Sequence, residues 1–81
     1  MGQMRILTSE GDRTVGWDCE QAQAGDLEAQ AAVREAERLF EEGLRRGGIA
    51  FRLHPEYSPE RLDRFDRSAP QIVMVPRVTG G

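Results

Sequence analysis

Gly80-Gly81 follow Val78-Thr79 soon after an apolar run, Ile72-Val73-Met74-Val75. Glycines carry no side chain, so such a tail can thread a narrow channel into another protein's active site. A terminal carboxylate is a poor electrophile. Converted to an acyl-adenylate, it becomes open to attack by a sulfur or nitrogen nucleophile. Gly80 and Gly81 are therefore the residues whose chemistry stands out, with the chain as substrate and not as catalyst. The plain alternative is a tail of turn-formers, which termini commonly carry.

The other chemistry-bearing residues point nowhere comparable. Cys19 sits between Asp18 and Glu20. Acidic neighbours disfavour the thiolate and blunt nucleophilicity, so it reads as incidental. His54 precedes Pro55 with no second ligand or nucleophile nearby, and reads as a strand-end residue. Trp17 reads as a sheet residue packed on the core. Glu56, Glu60, Asp63 and Asp66 read as solvated surface and not as metal ligands. No phosphate-cradling glycine loop or catalytic triad is visible. The sequence predicts no enzyme, no metal site and no bound cofactor.

All 11 basic residues are arginine, and there is no lysine. If the carboxylate of one copy were activated, another copy would offer only its α-amino group as a nitrogen acceptor. An arginine preference of a high-GC genome explains the same composition.

At 81 residues, with 38% hydrophobic and 31% charged residues, one small globular domain is expected. One cysteine allows no internal disulfide and fits a reducing cytoplasm. A net charge of -3 argues against a nucleic-acid partner. The sequence holds no stretch of the length and apolarity that spans a bilayer and no signal-peptide layout, so no membrane association is expected.

Elements must position the tail. Residues 4–8 and 13–17 are β-compatible runs separated by the turn Ser9-Glu10-Gly11-Asp12, which predicts a hairpin. Residues 18–25 are polar and read as a loop. Asp26 is a good N-cap, Val33, Ala36, Phe40 and Leu44 recur at spacings of three and four, and Gly47-Gly48 ends the run. This predicts an amphipathic helix. Residues 49–53 alternate, with Ile49, Phe51 and Leu53 expected toward the core. Ser58-Pro59 predicts a capped short turn, with Leu62 and Phe65 pinned to the core. The last strand is 71–75. The order strand, strand, helix, strand, irregular segment, strand predicts an α+β domain over 1–75, a mixed sheet of about four strands crossed by one helix, and a tail over 76–81. The last strand is expected beside and parallel to the first. The expected core is Ile6, Val15, Trp17, Val33, Ala36, Phe40, Leu44, Ile49, Phe51, Leu53, Leu62, Ile72 and Met74.

From Gln71 through Gly81 the chain resembles the sulfur-carrier branch of the ubiquitin-like β-grasp superfamily, in particular the small subunit of molybdopterin synthase, and small bacterial ubiquitin-like proteins. Met74-Val75 stand at that family's apolar pair, Pro76-Arg77 where Pro-Pro is usual, and Val78-Thr79-Gly80-Gly81 complete the tail. The resemblance implies a β-grasp fold and a Gly81 carboxylate adenylated by a partner activating enzyme. Thiocarboxylation or conjugation to an amine would follow, and the two stay open. A sulfur-accepting synthase subunit or a deconjugating peptidase are implied as further partners. The alternative is a non-catalytic interaction module with a dispensable tail.

Alternation gives one more expectation. If Ile6 and Met74 face the helix, Leu7, Val73 and Val75 face outward, since strand neighbours point oppositely. These three, rimmed by Arg5, Arg52 and Arg77, form the expected docking patch for the activating enzyme.

Overall fold

The computed structural model describes residues 1–8 and 10–77. The first hairpin joins β1 (Gly2–Thr8) to β2 (Gly11–Trp17), with Gly2 opposite Trp17 and Thr8 opposite Gly11. Gly11 holds φ at +126°, in the region that favours glycine, so the tight connection depends on it. At the other end a Cβ on Gly2 would overlap the Trp17 indole, so this glycine lets the ring lie over the strand.

The segment read as a loop contains a helix, α1 (Cys19–Gln23). Asp18 caps it by accepting from the Gln21 amide at 3.1 Å, and Ala22 is buried beneath it. Five residues are too few for hydrophobic periodicity to register. Helix α2 (Leu27–Arg45) starts at Asp26, whose carboxylate accepts from the Ala29 amide at 3.0 Å. It buries Val33, Ala36, Leu39 and Phe40. The exposed face carries Arg38 between Glu35 and Glu42, and Arg46 beyond Glu42.

Three strands follow: β3 (Ile49–Leu53), β4 (Glu60–Leu62) and β5 (Gln71–Val75). The fold is α+β, a five-stranded mixed sheet in the order β2-β1-β5-β3-β4 with one main helix packed across it. The arrangement is compatible with a β-grasp fold. Strand β5 runs parallel to β1, as expected, and the remaining neighbours are antiparallel. The fifth strand is β4, where a capped turn was expected. Its three residues pair Glu60 with Arg52, Arg61 with Phe51 and Leu62 with Ala50, forming a short edge. Pro59 marks only where pairing begins.

The core joins Met4, Trp17, Phe40, Ile72 and Met74 to the small residues Ala36, Ala50 and Ala69. Ile6, Val15, Leu44, Leu62 and Phe65 pack against it, half-buried. Phe65 is 5.1 Å from Trp17 and 5.8 Å from Phe40 between ring centroids, tilted on the first and edge-on to the second. This geometry suits the aromatic quadrupoles. The Trp17 indole N–H donates to the Arg67 carbonyl at 2.8 Å, so the buried ring keeps its polar atom satisfied.

One part of the expected core is on the wrong face. Ile49 is 37% exposed, and Phe51 and Leu53 are only half-buried, whereas Ala50 is fully buried. Pairing fixes the parity. Ala50 lies opposite Met74 and Arg52 opposite Ile72, both of which face α2, so Ile49, Phe51 and Leu53 must face away. Alternation reveals the period of a strand but not its phase, and a slip of one residue exchanges the faces.

Candidate interaction surface at the root of the tail

The outward face of the sheet gathers the apolar residues that the helix does not cover. Val73 lies opposite Phe51 and Val75 opposite Ile49 across the β3–β5 ladder. Leu53 lies opposite Gln71 on the same face, and Leu7 continues the outward positions of β1 after Arg5, which lies opposite Val73. The expected patch of Leu7, Val73 and Val75 therefore shares one face, and Ile49, Phe51 and Leu53 extend it. Directly opposed side chains on one face lie close enough to form a continuous surface.

The cationic rim differs from the expected one. Arg5 stands on the outward face and is ion-paired with Asp12. Arg61, opposite Phe51, flanks the other side and is exposed. Arg52 does not join the patch. It occupies a helix-facing position and donates from Nη1 to Asp66 Oδ2 at 2.8 Å. The Ser68 hydroxyl and amide both donate to Asp66 Oδ1, at 2.6 and 3.0 Å. The Ser68 hydroxyl bond is the largest of several causes that hold the Asp66 carboxyl below its ordinary value, with Arg52 adding to it. Asp66, read as free surface, thus ties the segment before β5 to β3.

Arg77 is exposed, just past the end of β5. Pro76 has no N–H to donate, so sheet pairing stops there. The ends of β1 and β5, the last turn of α2 and the start of β3 meet at one pole, because β5 is parallel to β1 and antiparallel to β3. A groove of about 390 Å³ opens at this pole, lined by Ile6, Leu7, Thr8, Gly43, Arg46, Gly48, Met74, Pro76 and Arg77. Gly43 lets α2 close on β5 there, since a Cβ would overlap the Met74 sulfur unless that side chain shifted. Gly80 and Gly81 lie outside the described residues, as do Val78 and Thr79, so the expected path of the tail is not described.

Elsewhere the side chains are in ordinary settings. Cys19 is half-buried at the start of α1. His54 packs against the Tyr57 ring at 4.4 Å and accepts from the Glu56 amide at Nδ1. Among the described residues no group of three or more His, Cys, Asp or Glu is placed to hold a metal ion, and no helix is long and apolar enough to cross a membrane. Sequence reasoning missed Ile49, Phe51 and Leu53 as surface residues. Only the β3–β5 register reveals them.

No protein-family model, curated protein or solved structure matches the chain.

Proposed function

We propose that this protein is a ubiquitin-like carrier or modifier whose Gly81 carboxylate is activated by a partner adenylating enzyme. The carboxylate oxygen attacks the α-phosphorus of ATP in the partner's site and pyrophosphate leaves, giving an acyl-adenylate. Hydrosulfide then displaces AMP to give a thiocarboxylate, or a partner's thiol displaces AMP to give a thioester, from which an amine displaces the thiol to form an amide. The protein is a substrate in this scheme, and the scheme requires Gly81 to carry a free carboxylate.

One observation carries the reading. Strand β5 is paired on both sides and parallel to β1, so a rigid element runs directly into Pro76-Arg77-Val78-Thr79-Gly80-Gly81. The outer face formed by Leu7, Ile49, Phe51, Val73 and Val75 begins on the same strand and suits docking beside that tail. The same face supports a second reading, a non-catalytic interaction module with a dispensable tail. Deleting Gly80-Gly81 separates the two. Loss of function with the fold and partner binding intact supports activation at Gly81. Full function after the deletion overturns it in favour of the module.

A further inference from the structure

The groove at the tail pole lies on the helix side of the sheet end and meets the outer face at Leu7. Its apolar wall is Ile6, Met74 and Pro76, with Leu7 at the edge, and Arg46 and Arg77 supply its charge. Among the described residues no acidic side chain lines it. At about 390 Å³ it stands near the small end of ligand-site volumes, room for one bulky side chain and its flanks.

Its electrostatics favour an anion although the whole chain carries a net charge of -3. Among the described residues Arg77 has no ion-pair partner. Arg46 is paired with Glu42 at 2.7 Å, but both side chains are solvent-accessible, and such pairs are weak enough to exchange. The carbonyls ending α2 would repel an anion if left bare. Three of them are occupied: the amides of Arg46, Gly47 and Gly48 donate to Glu42, Leu44 and Gly43 at 3.1, 2.9 and 2.9 Å.

We infer that this groove binds an acidic segment of a partner protein, which seats one bulky apolar side chain against Ile6 and Met74 and sets carboxylates on Arg46 and Arg77. Apolar burial supplies the anchor and the charges supply orientation and partner choice. The inference goes beyond activation of the tail, because binding needs no reaction at Gly81.

The test is an amide NMR titration of the full chain with the capped peptide Asp-Asp-Phe-Asp-Asp. Saturable shifts are expected at Leu7, Thr8, Gly48 and Arg77, shrinking as added salt screens the charges. Asp-Asp-Ser-Asp-Asp and Lys-Lys-Phe-Lys-Lys should leave these amides unmoved. Arg46→Glu combined with Arg77→Glu, its fold checked by circular dichroism, should weaken the acidic peptide by about tenfold or more and admit the basic one. Gly80→Leu should bind as well as the unaltered chain, which separates failure of the groove from failure of the tail chemistry. Absence of saturable shifts, an equal response to all three peptides, or shifts centred on Phe51 and Val73 would overturn the inference.

Discussion

Phe40→Ala and Phe51→Ala remove the same group from opposite sides of the sheet, Phe40 from α2 packed on its inner face and Phe51 from the outer face of β3. Phe40 is fully buried and stands edge-on to Phe65. Its removal leaves a cavity, and buried Phe→Ala changes cost about 3–5 kcal/mol. Phe51 is half-buried, with Val73 opposite. Full burial of such a side chain is worth about 1.5–3 kcal/mol, so a half-buried one loses about 1 kcal/mol, including part of its cross-strand pair. A domain this size is stabilised by about 4–12 kcal/mol in total, at roughly 0.05–0.15 kcal/mol per residue. Phe40→Ala therefore removes a large share of the stability and Phe51→Ala a small one. Urea denaturation followed by circular dichroism reads both. With a slope of roughly 1 kcal/mol/M, the midpoint should fall by about 3 M or more for Phe40→Ala and by about 1 M for Phe51→Ala. Equal falls would refute the assignment of faces on β3, and with it the extended outer surface.

Three further outcomes follow from the same geometry. Val75→Asp should stay folded and lose partner docking, whereas Met74→Asp, which buries a charge without a partner, should unfold the domain; thermal melts and a pull-down against the activating partner read the pair, and the reverse pattern would mean that β5 is inverted. Gly43→Ala should destabilise by about 1–3 kcal/mol through overlap with Met74, despite alanine's better helix propensity, and an unchanged urea midpoint would contradict the close approach of α2 to β5. Because the folded Asp66 carboxyl is held below its ordinary value of 3.8, its contribution is present above that value and is lost as pH falls from there through the lower folded value; urea midpoints measured down that range should drop less steeply in Asp66→Asn than in the unaltered chain.

The sequence's large elements were legible because each carries its own local signal. Asp26, the Val33–Ala36–Phe40–Leu44 stripe and Gly47 mark α2 at its start, face and end. Gly11 marks the first hairpin, and Gly47 with φ of +90° closes the helix where its type predicts. Features set by long-range pairing were not legible. Helix α1 is too short to show a period, and β4 exists only because β3 supplies its partner. The phase of 49–53 is decided by Ala50 meeting Met74, a contact between residues far apart in the chain. Arg52, expected on the rim of the docking patch, faces the helix side instead. Its role with Asp66 appears only once the segment before β5 folds back. Leu7, Val73 and Val75 were legible because an Ile72-Met74 core face forces their neighbours outward.

The claim that Gly81 is the reactive terminus is tested most directly by mass spectrometry of the protein isolated from its native host, intact and after digestion. The account predicts a chain ending at Gly81 that either carries sulfur in place of one carboxylate oxygen or leaves a branched glycine remnant on an amine of another protein. A terminus extended beyond Gly81, or a free carboxylate alone with no remnant on any other protein, would contradict it.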